Sequence, residues 1–123
     1  FLSCEPERLK RTIKKAVKIC RKKEIYACLE CSRLGAAEIE KAVKILSKAG
    51  VKTIVTGSGY YPSEDLFLEA KTVRSALGTA CTVSSAAKVS DGNELIRLFG
   101  YADRVFLPNG GKIAEEIKSS LGY

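Results

Sequence analysis

Four apolar, β-rich segments alternate with helical segments along this chain at a nearly constant interval. The predicted strands cover about 24–30, 51–57, 79–85 and 103–107, so a new strand begins every 24 to 28 residues. A helix over 5–22 precedes them, and each strand is followed by a segment whose apolar residues recur at helical spacing. Strands and helices that alternate at this length form right-handed βαβ units. The pattern therefore predicts an α/β domain with a parallel sheet.

Two architectures accommodate four βα units in 123 residues. One is half of a (βα)8 TIM barrel, whose helices lie on one face of the sheet and whose complete form takes about 250 residues. The other is an open, flavodoxin-like doubly wound sheet with helices on both faces. Periodicity alone does not choose between them, and we predict a single domain over 1–123 in either case. A half barrel needs a second half to cover its bare face.

Composition excludes several classes of protein. Hydrophobic residues make up 46% of the chain and charged residues 28%, as in an ordinary soluble domain. No apolar run approaches the roughly 20 residues of a membrane-spanning helix, and the Lys/Arg-rich beginning lacks the apolar core of a signal peptide. Five cysteines without a secretory signal indicate reduced thiols. We therefore expect a cytoplasmic protein that does not bind membranes.

The net charge of +7 is concentrated in the predicted first helix. The basic residues there are Lys10, Arg11, Lys14, Lys15, Lys18, Arg21, Lys22 and Lys23. Such a helix can bind nucleic acid by neutralising phosphates. The alternative is a solvated helix face, since Leu9, Ile13, Val17 and Cys20 form an apolar stripe away from the lysines. No aromatic residue is interleaved with the lysines to stack on bases, which favours the solvated face.

Cys28 and Cys31 form a CxxC motif, but a single pair without any histidine is a weak metal signal. A three-residue offset on a strand points two side chains to opposite faces. We predict buried structural thiols and assign no metal ligand, with a metal or redox role for the pair as the alternative. The absence of histidine also excludes His-dependent triads and HExxH zinc sites.

The predicted loops after the four strands are "LECSRLG", "TGSGYYP", "SSAAKVSDG" and "LPNGGK". In both architectures the active site lies at these carboxyl ends. Loops rich in Gly, Ser and Asn present backbone N–H groups and helix N-termini to an anion, which predicts a phosphate site. Ordinary turn chemistry selects the same residues. Neither GxGxxG nor GxxxxGK[ST] occurs, so we expect no nucleotide cofactor of those classes and predict no other cofactor.

Few side chains are available for acid–base or nucleophilic chemistry. The candidates outside the cysteines are Glu30, Tyr60, Tyr61, Lys88 and Asp91. Glu30 is the strongest, because a carboxylate that closes an apolar strand points into a site or pairs with a cation. Exposure at the surface is the alternative.

From about Glu7 to its end, the chain resembles the C-terminal half of the deoxyribose-phosphate aldolases, a family of (βα)8 class I aldolases. The strand that closes in Glu30 is followed at the family's spacing by "TIVTGSGY", then by "TVSSAAKVS" and "ELIRLFGYADRVFLPNGG". Identical or similar residues stand at Thr56, Gly59, Ser85, Ala102 and Arg104.

The resemblance implies a phosphate-binding side whose chemistry is altered. The implied phosphate-side residues are Thr56, Gly57, Ser58, Gly59, Ser85, Lys88, Asn109 and Gly110. In the family, a lysine on the second strand forms a Schiff base and a lysine on the third lowers its pKa. The matching positions here are Val55 and Val83, which can do neither.

Three functions remain open at this stage. The first is an aldolase-like domain that binds a phosphorylated sugar or similar small molecule without Schiff-base catalysis. It would act as a homo-oligomer or with a partner chain that completes the barrel. The second is an active lyase with Lys88 as a relocated amine and Glu30 or Asp91 as the proton carrier. The third is a flavodoxin-like module that binds protein or nucleic acid through its basic first helix.

Overall fold

The computed structural model describes residues 5–21, 23–77, 82–86, 89–108 and 110–122. Its helices are α1 (Pro6–Ile19), α2 (Ala36–Lys48), α3 (Leu66–Leu77), α4 (Gly92–Leu98) and α5 (Gly110–Ser120). Its strands are β1 (Tyr26–Cys28), β2 (Thr53–Val55), β3 (Thr82–Ala86) and β4 (Arg104–Phe106). A single 3₁₀ turn, Cys31–Arg33, follows β1. No helix in these ranges is both long and apolar enough to cross a membrane.

The strands form one parallel sheet in the order β1-β2-β3-β4. The predicted α/β class with a parallel sheet is therefore confirmed. A doubly wound sheet reverses its strand order at a switch point, and the sheet of the described residues has no such reversal. Consecutive right-handed crossovers in one direction place every connecting helix on the same face.

The core lies between this face and the helices. Register aligns Ala27 with Ile54 and Ile54 with Val83, so these three side chains point to the same side. Ile54 and Val83 are fully buried in the hydrophobic cluster that the helices form on the sheet. The helices contribute Val43, Val73, Leu98 and Ile113 to it, each almost completely buried. Strand alternation therefore directs one side of the sheet to the helices and leaves the other free of them.

We call the opposite side of the sheet the concave face. Its residues with described side chains are Tyr26, Cys28, Thr53, Val55, Arg104 and Phe106. β1 and β4 are the outer strands, yet the ring centroids of Tyr26 and Phe106 lie only 6.4 Å apart. Side chains of the two outer strands can meet over the middle of a sheet only when it is strongly curved.

A polar network closes the amino-terminal end of the concave face. Arg104 donates hydrogen bonds to the Tyr26 hydroxyl and, at 3.4 Å, to the Glu24 carboxylate. The Thr53 hydroxyl donates to the other Glu24 oxygen at 3.0 Å. These contacts cover the middle strand, so that Thr53 is 1% and Val55 8% exposed. The bare face that a half barrel predicts is thus partly covered by its own side chains.

Two helix N-termini test the predicted caps. The spacing of Asp91 and Glu94 predicts a capping box at α4, and half of it is present: the Asp91 side chain accepts the Asn93 and Glu94 N–H groups. The Glu94 carboxylate accepts the Ser90 N–H rather than that of Asp91. At α3 the sequence favours Ser63 as the N-cap, with Glu64 and Asp65 in the first turn, and this prediction is wrong. The helix begins at Leu66, and Asp65 accepts the Leu68 N–H at 2.9 Å. The Ser63 hydroxyl instead donates to Glu69 at 2.6 Å.

α1 packs on α2 beside the turn that ends α2. Gly50 lies in this turn with φ +100°, and a Cβ built there would lie 3.2 Å from Cγ1 of Val17. The position therefore requires glycine for two reasons: its backbone conformation is left-handed, and α1 approaches it closely. No residue of α1 is fully buried, so this contact is an important part of its attachment.

Asp103 ties α3 to the two strands at the β4 edge. Its carboxylate accepts hydrogen bonds from Arg74 at 2.5 Å and from the Val83 N–H at 3.1 Å. Its own N–H donates to the Val83 carbonyl at 2.9 Å. Arg74 also donates from Nε to the Tyr101 carbonyl at 3.0 Å. The hydrogen bond from Arg74, followed by that from Val83, holds the pKa of Asp103 below its ordinary value.

We expect Gly50→Ala to lower the free energy of unfolding by about 1–3 kcal/mol, because alanine is strained at this φ and crowds Val17. Urea denaturation measures the change. Gly111→Ala is the matched control: its Cβ would meet nothing within 4 Å in α5, so stability should be unchanged or up to about 1 kcal/mol higher. Equal losses in the two variants would contradict the argument.

We expect Asp103→Asn to lower the free energy of unfolding by about 1 kcal/mol at pH 7, a value reduced for exposure of the pair. A carboxyl with a depressed pKa stabilises the fold above its unfolded pKa and loses that contribution as the pH falls through its folded pKa. The difference from wild type should therefore shrink below about pH 4. Urea denaturation at pH 7 and pH 3 measures it. Glu115→Gln, on exposed α5 surface, should show no such pH-dependent difference.

Candidate functional site

The carboxyl ends of the strands open onto a cavity of about 870 Å³. Residues 57–63 after β2 form one wall, and residues 105–108 at the end of β4 form another. Leu66 and Glu69 of α3, Ser32 and Gly110 complete the lining. The cavity therefore lies at the edge of the sheet where parallel α/β folds place their ligands.

Glu30 follows β1 with an unusual backbone and a well-defined set of contacts. Its φ is +49°, which is uncommon for a residue other than glycine. Oε1 accepts the Ser58 N–H at 3.0 Å and the Cys28 thiol at 3.6 Å. Oε2 is buried and, among the described residues, has no hydrogen-bond partner. A buried carboxylate oxygen without a donor is costly, so this atom is where a ligand hydroxyl or a water would be stabilised.

Several polar groups of the "TGSG" loop, residues 56–59, already form hydrogen bonds within the protein. Thr56 is buried, and its carbonyl accepts the Cys31 N–H at 2.7 Å. The Ser58 N–H donates to Glu30, and the Ser58 hydroxyl accepts the Tyr60 N–H at 3.2 Å. The loop predicted to bind phosphate thus holds an anion of the chain itself, the Glu30 carboxylate, at one of its N–H groups.

An aromatic pair stands on the cavity wall. Tyr60 is 84% exposed, and its ring packs edge-on against that of Tyr61 with centroids 5.1 Å apart. The Arg33 guanidinium lies 5.1 Å from the centroid of the Tyr61 ring, within the range of a cation–π contact. Neither tyrosine has a described acid–base partner, so the structure gives no support for proton transfer by either.

Glu69 is a site residue that the sequence analysis missed. Burial raises the pKa of its carboxyl, and nearby Asp65 and Glu30 raise it further, against the hydrogen bond from Ser63. A partly buried carboxyl of this kind can hold a proton above its ordinary range. Its position in the sequence of α3 did not indicate a site residue, because the sequence does not show that this turn of the helix borders the cavity.

The predicted lysine positions do not lie side by side. Val55 is in register with Ser84, whereas Val83 is in register with Ile54. Val83 is fully buried in the core on the helix side, and Val55 lies on the concave face. Val83 therefore points away from the concave face, and position 84 is the one aligned with Val55. Strand pairing, which sets this register, cannot be read from one segment.

The two cysteines of the CxxC motif have different environments. Cys31 is buried, and burial raises its pKa to about 12. Cys28 was predicted to be buried but is exposed, and partial desolvation raises the pKa of its thiol as well. Both are free thiols, and neither shows the lowered pKa of a nucleophilic or redox cysteine. The described residues contain no cluster of three or more His, Cys, Asp or Glu that could hold a metal ion.

The other predicted site residues divide into three groups. Gly57, Ser58, Gly59 and Gly110 line the cavity. Asp91 caps α4 and is thereby explained as a structural residue. Lys88 and Asn109 lie outside the described residues, as does the side chain of Ser85, whose backbone belongs to β3.

No protein-family model and no curated protein matches the chain. Solved structures do match. The structure described as "QR15, an Aldolase" is 24% identical to this chain, with a TM-score of 0.84. The match covers 94% of this chain and 53% of the QR15 chain. A deoxyribose phosphate aldolase from Aeropyrum pernix, described as tetrameric, is 21% identical with a TM-score of 0.84, over 97% of this chain and 53% of its own.

A putative deoxyribose-phosphate aldolase from Coccidioides immitis is 19% identical with a TM-score of 0.77, over 89% of this chain and 45% of its own. The chain thus spans about half the length of the solved structures it matches. Identities of this size show similarity of fold. The chain has the fold found in one half of these aldolase structures.

Proposed function

We propose that residues 1–123 form one domain, half of an aldolase-like (βα)8 barrel, which binds a phosphorylated sugar or a similar small molecule. We propose further that it forms no Schiff base from β2 or β3. The observation that carries the proposal is the cavity at the carboxyl edge of an aldolase-like sheet, beside a strand that offers Val55. Valine has no amine with which to form an imine.

Three features support the half barrel. The strand order runs without reversal, and the helices pack on a single face. The outer strands approach each other over the concave face, as the curvature of a barrel requires. The matched aldolases are about twice as long as this chain. The other four βα units would come from a second copy, from another chain or from a further part of the same protein.

The arrangement of polar groups favours a ligand with both an anionic end and hydroxyl groups. The unpartnered Oε2 of Glu30 would accept a ligand hydroxyl. The anionic end would lie nearer Gly59 and the start of α5 at Gly110, since the Ser58 N–H already donates to Glu30. Lys88 and Asn109 remain predicted contributors of charge and hydrogen bonds there. Tyr60 and Phe106 would supply apolar contact for the carbon skeleton.

A relocated-lysine aldolase is the competing function. It requires Lys88 as the amine and Glu30 or Asp91 as the proton carrier. Asp91 is already used as a helix cap, and Glu30 is held by Ser58 and Cys28. Glu69 is the described carboxyl with a raised pKa on the cavity wall, and it would be the better proton carrier.

We expect deoxyribose phosphate to raise the stability of the protein and to leave no covalent trace after treatment with borohydride. A ligand at 100 times its Kd stabilises a protein by about 2.7 kcal/mol, which thermal unfolding detects. Glu30→Gln should weaken binding about tenfold, since it removes the charged acceptor of the ligand hydroxyl. Glu115→Gln, at an exposed position that does not line the cavity, should leave binding unchanged.

A borohydride-trapped adduct seen by mass spectrometry would contradict the Schiff-base part of this proposal. Its disappearance in Lys88→Met would then establish the relocated lysine. An absence of thermal stabilisation by any phosphorylated sugar tested would contradict the binding part.

We expect the chain to have a mass in solution of twice its 13.3 kDa, because a second copy would cover the concave face and pair the open edges of β1 and β4. Size-exclusion chromatography with light scattering measures it. Phe106→Asp, on the concave face, should shift the protein toward the monomer. Leu68→Asp, on a comparably exposed position of α3, should not. A monomer at every concentration would contradict the second copy.

A further inference from the structure

The net charge of the protein comes entirely from its first 23 residues. Nine basic and two acidic residues lie in that segment, whereas residues 24–123 contain twelve of each. Residues 6–19 of this segment form α1. No function proposed for the cavity uses this charge, because α1 contributes no residue to the cavity lining.

The charge is confined to one side of α1. At 3.6 residues per turn, Leu9, Ile13 and Val17 mark one side of the helix. Ile13 and Val17 pack against the core. The opposite side carries five exposed basic residues, namely Arg8, Arg11, Lys14, Lys15 and Lys18, and one exposed acidic residue, Glu7. From Arg8 to Lys18 this row extends for about 15 Å at 1.5 Å per residue.

Within the described part of the chain, none of these basic residues forms an ion pair. The ion pairs there join Arg74 to Asp103 and Arg104 to Glu24, and both lie away from α1. A rigid row of like charges costs self-repulsion, which an external polyanion would relieve.

We propose that the basic side of α1 binds double-stranded nucleic acid through its phosphates, without reading sequence. A duplex offers one negative charge per about 1.7 Å of axis, so a straight row of cations meets several phosphates at once. Binding releases counterions, which makes the affinity depend steeply on salt. Backbone-directed binding of this kind needs no base-specific side chains.

The composition of the surface argues against the other polyanions. The apolar stripe of α1 is occupied by its packing on the core, so it has no apolar face with which to enter a membrane. Residues 5–23 contain no aromatic side chain, so single strands would find nothing to stack on. Protein interfaces depend on aromatic and apolar anchors, and Ile19 alone among the apolar residues of α1 is largely exposed.

Fluorescence anisotropy with a labelled duplex DNA of about 20 base pairs tests the proposal over about 50–200 mM salt. The variant Lys14→Gln/Lys15→Gln/Lys18→Gln removes three charges from α1. The control Lys71→Gln/Lys112→Gln/Lys118→Gln removes three exposed charges from α3 and α5, so both variants have the same net charge. Circular dichroism verifies that both are folded.

The wild type should bind with a Kd of about 10⁻⁴–10⁻⁶ M, and equally well to a duplex of scrambled sequence. The α1 variant should bind at least about tenfold more weakly, and its slope of log affinity against log salt should fall by up to about 2.7. The control should change affinity less than about threefold, as expected for distant screened charges.

Four results would overturn the proposal. The first is an absence of duplex binding at the lowest salt, and the second is equal weakening in the two variants. The third is tighter binding to single-stranded DNA of the same length. The fourth is tighter binding to phosphatidylserine vesicles than to the duplex, which would assign α1 to a membrane surface.

Discussion

The contact between the two outer strands over the concave face sets the shape of this protein. Arg104 and Phe106 on β4 reach Tyr26 on β1, and Glu24 joins them to Thr53 on the strand between. A flat sheet would keep these strands too far apart for such contacts, since neighbouring strands are about 4.8 Å apart. The curvature brings the loops after β2 and β4 to opposite walls of one cavity. The position of the candidate site is therefore a consequence of how the sheet bends.

Glu30 links this shape to the chemistry of the site. Its left-handed backbone turns the chain out of β1 and directs the carboxylate to the Ser58 N–H. The glycine-rich loop is thereby held by an internal anion, and the second carboxylate oxygen is buried without a described donor. Strain and an unsatisfied polar atom at one residue are both costly, and such costs concentrate where a site is formed. A fold found in aldolase structures is thus combined with a buried carboxylate oxygen beside the glycine-rich loop.

Much of the architecture could be predicted from the sequence. The alternation of strand and helix signals predicted the α/β class and its parallel sheet, and the Asp91 cap followed from local chemistry. Predictions from local sequence patterns failed where a contact with a distant segment determines the structure. Ser63 is a residue type that often caps helices, but its hydroxyl donates to Glu69, and Asp65 caps α3. Val83 points away from the concave face and position 84 pairs with Val55, since register depends on the neighbouring strand.

The sequence by itself determined the α/β class, the parallel sheet, the basic side of α1 and the absence of a lysine at position 55. These properties depend on residue type and short-range periodicity, which a single chain segment contains. The tertiary structure alone decided which strands are neighbours, which face is concave, that Glu30 occupies the loop at Ser58, and that Glu69 borders the cavity. Each of these depends on contacts between residues far apart in sequence, and no local pattern encodes them.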